Sequence, residues 1–362
     1  MSVRSKMASF DDDIDFRMVW RRGIALSALL ILLSVVGIVG RGLNLGIDFE
    51  GGTSWDVPGE SLSVDDARRA VESTGEEAAK VQTVGRGDSR LVRVQSRAID
   101  PAAETAVSEA LAEAAGIRVT DITVSNVGPS WGDQISAKAQ RALVVFFVLI
   151  TLYMAVRLEW KMAIGALAAV VHDLVLSVGV YALFQIEIAP ATVIAFLTIL
   201  GYSLYDTIVV FDRMQENVLQ LTSTSKRTYT DMVSLSLNQV LMRSVNTTIT
   251  SLLPVLSLLI VGSFMLGALA LQEFALALTI GLLSGAYSSI VVAAPVVAWI
   301  KEREPHNREL RARLGARAAR LDAPHAPAIA VPGGTGARSD GPPPSLSGRA
   351  IPPRPRKKGK RR

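Results

Sequence analysis

Residues 162–184 read MAIGALAAVVHDLVLSVGVYALF, with a single ionisable pair, His172 and Asp173, in the middle. As a helix rising about 1.5 Å per residue, this run is long enough to cross a hydrocarbon layer about 30 Å thick. A soluble core uses short amphipathic segments instead, so the stretch points to an integral membrane protein. Five further apolar runs lie on either side, at 23–40, 142–156, 188–211, 245–264 and 274–300. The run at 142–156 is short, but Arg141 and Arg157 flank it and can snorkel to the interfaces.

Composition alone would not reveal this. The 362 residues are 49% hydrophobic and 20% charged, as in many soluble domains, and the clustering of the apolar residues decides the class. There is no cysteine, which excludes disulfides, thiol nucleophiles and thiolate metal sites. Histidines occur only at 172, 306 and 325, a poor basis for a zinc site. No phosphate-binding glycine loop is present, so ATP hydrolysis is not expected, nor is any cofactor.

The connecting segments alternate in charge. Arg4, Lys6, Arg17, Arg21 and Arg22 precede the first run, Arg157 and Lys161 bracket the 157–161 turn, and Arg213, Lys226, Arg227 and Arg243 mark the 212–243 loop. The loops at 185–189 and 265–273 carry no Lys or Arg. The positive-inside rule then places both termini in the cytoplasm. The first run is followed by Gly-Arg-Gly-Leu-Asn, without a small-residue cleavage site, and reads as an uncleaved anchor.

Residues 42–137 form a soluble insertion on the far side, with sixteen acidic and eight basic residues. A β-rich stretch over 44–57 is broken at Gly51-Gly52. A helix over 64–73 follows Ser63 as its cap. Strands at 79–84 and 90–96 flank the turn Gly85-Arg86-Gly87-Asp88. A second helix covers 101–115, with Pro101 at its start and Gly116 past its end, and a last strand covers 122–127. The order β-α-β-β-α-β is that of a small α+β ferredoxin-like domain between the first and second transmembrane helices. The chain therefore divides into a cytoplasmic tail (1–22), the first helix (23–40), the extracytoplasmic domain (42–137), five more helices (138–300) and a basic tail (301–362). That tail holds sixteen basic and five acidic residues and reads as disordered, drawn to anionic membrane lipid. A ribosome- or RNA-binding role is the alternative, because polyphosphate attracts such a tail equally well, although no aromatic residues are interleaved for stacking.

Ionisable residues inside the apolar runs are the functional candidates, since a charge in the bilayer costs at least about 2.5–3.5 kcal/mol. Asp206 lies about five residues inside the cytoplasmic end of the fourth run, with Tyr202 one turn away on the same face. It reads either as a proton-carrying carboxylate or as a structural ion pair, with Arg243 as the expected partner. Gln239, Arg243, Asn246, Thr247 and Thr250 recur at spacings of three and four and form a polar stripe that must face protein or water. The Asn and Thr residues serve equally well as hydrogen-bonding contacts between helices. His172 and Asp173 point about 100° apart, so one can titrate while the other is structural.

Four segments carry a family resemblance. NLGIDFEGGT at 44–53, VHD at 171–173, GYSLYDTIVVFDR at 201–213 and NQVLMRSVNTTITSLL at 238–253 resemble, in order, segments of the SecD/SecF family, and of its SecF branch in particular. Val240 and Ser244 stand where the family has threonines, so no hydroxyl role carries over to 240. The resemblance implies a subunit of the bacterial preprotein translocase in the inner membrane, paired with a SecD chain in a pseudo-symmetric unit of the RND superfamily. It also implies association with the SecYEG channel, the translocating preprotein and YajC- or YidC-type accessory subunits. The proton-motive force would drive the unit, with Asp206 and Arg243 in the proton path. Two alternatives remain: a proton-coupled RND-type exporter of lipids or small molecules, and a non-transporting assembly scaffold. Ordinary enzymatic activity is not expected.

Overall fold

In the computed structural model of the protein, residues 14–59, 62–78, 80–84, 90–97, 100–219, 227–262 and 268–322 are described. The start of the N-terminal tail, the 85–88 turn and the chain past 322 lie outside the described residues. Six helices are long and apolar enough to cross a membrane: Phe16–Arg41, Ser130–Arg157, Trp160–Phe184, Pro190–Val218, Tyr229–Ile260 and Ala270–Lys301, called here the first to sixth spans.

Several spans begin well before their apolar runs, because a helix continues until a cap ends it. The second starts with Pro129 in its first turn, so residues 129–137, expected within the insertion, are helical. The fifth starts at Tyr229 behind a reciprocal cap: Asp231 N donates to Thr228 Oγ1 at 3.2 Å, and Thr228 N donates to Asp231 Oδ2 at 2.9 Å. Its first turns bury Met232, Val233 and Leu237. Pro254 sits within this unbroken helix. Pro295 is accommodated differently, with a single π-helical turn, Ser289–Ala293, just ahead of it in the sixth span.

Spans three, four and six form the centre of the bundle. Half or more of their most apolar windows is buried, against 17% for the first span and 6% for the second and fifth. Where the sixth span crosses the fourth, a Cβ on Gly285 would lie 2.8 Å from Ser203 Cβ, so only glycine permits this approach.

Between the first two spans the chain forms β1 (Gly52–Pro58), α1 (Val64–Ser73), β2 (Lys80–Val84), β3 (Leu91–Ser96), α2 (Pro101–Ala115) and β4 (Thr123–Val127). The sheet order is β2-β3-β1-β4, and every neighbouring pair is antiparallel. Ser63 caps α1 through a bond from Asp66 N (3.1 Å), Asp100 caps α2, and Gly116 ends α2 with φ +68°. The buried face of the strands presents Trp55, Val57, Val92 and Val94 to Val71, Val107 and Leu111 of the helices. Trp55 Nε1 donates to Ser108 Oγ at 2.9 Å, which satisfies the one polar atom of this large core side chain. The chain enters β1 through Gly51 and Gly52, both at positive φ (+76° and +133°), and a Cβ on Gly52 would lie 2.4 Å from the Ser96 carbonyl. Both requirements exclude other residues there.

The sheet meets the spans at the ends marked by Glu187 and Glu273 through charged side chains. Arg93 on β3 donates two bonds to Asp56 (2.7 and 3.1 Å), and its guanidinium lies 3.7 Å from Glu187 and 3.6 Å from Glu273. Gln95 Nε2 donates to Glu187 at 2.8 Å. Gly46 and Ile188 add backbone bonds between the connector and the 185–189 loop.

The basic tail corrects one expectation. Residues 305–322, read as disordered from their composition, form a helix, Pro305–Asp322. Proline suits a first helical position, Asn307 Nδ2 donates to the Lys301 carbonyl at 2.8 Å, and Leu310 is buried. Chain contacts divide the molecule into residues 1–316 and 317–362, and of the second unit only the end of this helix is described.

Candidate functional site

The central spans are apolar, so the carboxylates they carry must be satisfied by neighbouring helices. Asp173 is 1% exposed. Its carboxylate accepts bonds from Ser203 Oγ (2.6 Å), Ser284 Oγ (2.7 Å) and Ser288 Oγ (2.7 Å), and His172 Nδ1 lies 3.2 Å away. Ser203 comes from the fourth span and the other two serines from the sixth, one turn apart. Asp173 therefore fastens three spans together. His172 turns its Nε2 into the bundle without a hydrogen-bond partner among the described residues, beside the Tyr287 ring.

Asp206 is also buried. Ser244 Oγ of the fifth span donates to one carboxylate oxygen at 2.7 Å, and Ser289 Oγ of the sixth donates to the other at 2.6 Å. Consecutive serines of the sixth span thus serve the two aspartates, Ser288 bonding Asp173 and Ser289 bonding Asp206. They stand where the helix enters its π turn, a distortion that often accompanies functional positions. A serine hydroxyl both donates and accepts, so it satisfies a carboxylate and equally a protonated carboxyl. The arrangement can hold a proton or release one without leaving a buried polar atom unpaired.

The expected pairing of Asp206 with Arg243 is not present. Among the described residues no Lys or Arg lies within ion-pair distance of either aspartate, and Arg243 is exposed on the outward face of the fifth span. The reason is angular: Ser244, one residue on, takes the position facing Asp206, and adjacent residues point about 100° apart. Asn246 and Thr250 are exposed on the same outward face, while Thr247 is half-buried. The Thr247 and Thr250 hydroxyls donate to carbonyls of their own helix rather than across to another. Tyr202 does bridge helices, with its hydroxyl 3.2 Å from the Thr247 carbonyl and 2.8 Å from Ser251 Oγ. Gln239 Oε1 accepts from Arg213 (2.6 Å) and Asn217 (2.8 Å), which ties it to the end of the fourth span, away from Asp206.

Ser203, Ser244, Ser284, Ser288 and Ser289 are the site residues that sequence reasoning did not assign. Serine is common in membrane helices, and its i−4 back-bond leaves no mark on periodicity. The available signal was Ser284 and Ser288 one turn apart in an otherwise apolar run. Among the described residues no cluster suited to a metal ion occurs.

Comparison with known proteins agrees with this architecture. Residues 106–303 match the family described as protein export membrane protein SecD/SecF, C-terminal, and residues 36–54 match the SecD/SecF GG motif. The protein translocase subunit SecF of Streptomyces coelicolor is 41% identical over 309 residues, covering 85% of this chain and 81% of that one. SecF of Mycobacterium tuberculosis (strain H37Rv) is 40% identical over 298 residues, covering 80% and 67%. The crystal structure of SecDF from Thermus thermophilus, a translocon-associated membrane protein, superposes with a TM-score of 0.72 at 33% identity and covers 81% of this chain. SecDF in a super-membrane-facing form gives a TM-score of 0.58 at 31% identity. The chain spans about two fifths of those SecDF chains, 39% and 40%.

Proposed function

Because the chain belongs to the SecD/SecF family of protein export membrane proteins, we propose that it is a SecF-type subunit of the bacterial preprotein translocase. In this reading it couples proton movement to the export of secreted chains. The chain is a multi-pass membrane protein with a translocation role rather than an enzymatic one. The inner membrane, cytoplasmic termini and a far-side ferredoxin-like domain at 42–137 complete the reading. The split β-α-β order of the sheet, β2-β3-β1-β4, supports the domain assignment.

The observation that carries the proposal is Asp206: a buried carboxylate whose partners among the described residues are hydroxyls of the fifth and sixth spans. In a low-dielectric bundle an unpaired carboxylate is costly when charged, and the two serines accommodate either protonation state. Taking up a proton neutralises the site, and releasing it restores a charge that neighbouring helices must solvate. Such a change favours different helix packings in the two states, which gives a motion to transmit to the far-side domain.

The second observation concerns the partner. Arg243, Asn246, Thr250 and Tyr205 lie exposed on the outward faces of the fourth and fifth spans, where lipid would leave a charge and polar groups unsatisfied. A second bundle of the same kind, a SecD chain, covers this face and brings Arg243 into a protein interior. The assembled pair then associates with SecYEG, the preprotein and accessory subunits. A photo-crosslinking residue at position 246 tests the pairing. Capture of a SecD chain is expected, and capture of lipid alone would contradict the reading.

A further inference from the structure

A cavity lies at the opposite end of the bundle from the sheet, where the first and sixth spans meet the Pro305–Asp322 helix. Its volume is about 880 Å³, and five arginines line it: Arg17, Arg21, Arg303, Arg308 and Arg311. Glu302 is the only acid in the lining among the described residues. Glu302 is engaged at one oxygen, since Thr230 donates to its Oε1 from both backbone (3.0 Å) and hydroxyl (2.6 Å); its buried Oε2 has no hydrogen-bond partner among the described residues, and Arg311 lies 3.8 Å away. Arg17 pairs with Asp231, and Arg303 lies 3.5 Å over the Trp299 ring. Among the described residues, Arg21 and Arg308 have no ion-pair or hydrogen-bond partner for their guanidinium groups. Two exposed guanidiniums facing one concavity suit an anion.

The rest of the lining names its class. Trp20, Ile24, Pro295, Ala298 and Trp299 make the floor apolar. Ile24 lies one turn inside Arg21 and already belongs to the apolar run of the first span, so the cavity straddles the border between charged surface and hydrocarbon. Trp20 fixes that wall by donating from Nε1 to the Ile290 carbonyl at 3.1 Å. A soluble anion would use the arginines and leave the floor bare, whereas a phospholipid uses both. Basic pockets between helices at the interface suit phosphate headgroups, and tryptophans mark the headgroup level. We infer that this cavity binds one anionic phospholipid, its phosphate on Arg21 and Arg308 and its glycerol region against Trp20 and Ile24.

Native mass spectrometry of the full-length protein in mild detergent tests this, with phosphatidylglycerol, phosphatidylcholine and glycerol 3-phosphate added separately. One phosphatidylglycerol is expected to be retained in preference to phosphatidylcholine. Arg21→Gln with Arg308→Gln is expected to weaken retention roughly 30-fold, at about 1 kcal/mol per arginine and about 1.4 kcal/mol per tenfold. A charge-matched control, Arg22→Gln with Arg157→Gln, changes two exposed arginines of the same membrane side that do not line the cavity, and it should retain the lipid. Equal loss in the control would mean general surface attraction and overturn the site. Equal retention of phosphatidylcholine, or glycerol 3-phosphate competing as tightly as the lipid, would overturn the assignment to an anionic lipid.

Discussion

Replacing Arg93 should release the sheet from the spans beneath it. The guanidinium makes a forked pair with Asp56 and lies within 3.7 Å of Glu187 and 3.6 Å of Glu273, and its side chain is only 14% exposed. Burial alone would lower its proton affinity, but the bonds to Asp56 and the charges of Asp56, Glu187 and Glu273 raise it above the ordinary arginine value, so it stays charged. Arg93→Gln would leave three poorly solvated acids without their cation. Each contact near 3.6 Å carries about 4–5 kcal/mol of attraction at an effective dielectric near 20, before desolvation is subtracted. Breaking buried pairs from one side costs about 3–5 kcal/mol in practice. The Gly46 and Ile188 amides report on the junction directly, since Gly46 N donates to Ile188 O (3.0 Å) and Ile188 N to Asn44 O (2.8 Å). Their hydrogen exchange should accelerate by roughly two to three and a half orders of magnitude. Arg93→Lys should fall between, because it keeps the charge and loses the fork. Unchanged exchange at both amides in a folded Arg93→Gln protein would refute the reasoning.

Other outcomes follow from the same geometry. Gly52→Ala combines a φ of +133° with a Cβ 2.4 Å from the Ser96 carbonyl and should destabilise the β1–β3 pairing by at least about 2 kcal/mol, read as faster exchange in both strands. Gly285→Ala forces the sixth span away from Ser203 and should cost about 1–3 kcal/mol in thermal unfolding. Arg243→Gln should leave the stability of the isolated chain within about 0.5 kcal/mol, because the residue is exposed and has no side-chain partner among the described residues, while weakening co-purification with a SecD chain. Asp48 has its proton affinity raised, first by burial and then by Glu187. Its folded-state value therefore lies above the unfolded one, and its charge costs stability fully at neutral pH and less as pH falls through the folded value. Asp48→Asn should accordingly stabilise the protein at pH 7.5 and lose that advantage toward pH 4, as followed by melting temperature.

Length and apolarity made the spans legible in sequence, because a helix in lipid must satisfy its backbone internally and cover a fixed thickness. The cap at Ser63, the turn between the strands at 79–84 and 90–96, and Pro101 with Gly116 made the α+β insertion equally readable. Asp206 and Asp173 stood out because charge is scarce in such runs. What surrounds them did not, since Ser203, Ser244, Ser284, Ser288 and Ser289 converge from three helices, and no local pattern encodes which faces meet. Arg243 was assigned to Asp206 on spacing along one helix, whereas the rotation of the fifth span turns Ser244 inward. The helix after Pro305 was hidden by its charge, because Asn307 and Leu310 are its buried residues in an otherwise basic stretch, among those described.

The most direct test of the central claim is export of a secreted protein into inverted membrane vesicles carrying either the native chain or Asp206→Asn, with and without a protonophore. Asparagine keeps the size of the side chain and an acceptor for Ser244 or Ser289 but cannot carry the proton. Native vesicles should lose export when the proton gradient is collapsed, and Asp206→Asn vesicles should already stand at that lower level and respond no further. Full, protonophore-sensitive export by Asp206→Asn would contradict the role of Asp206 as the proton carrier.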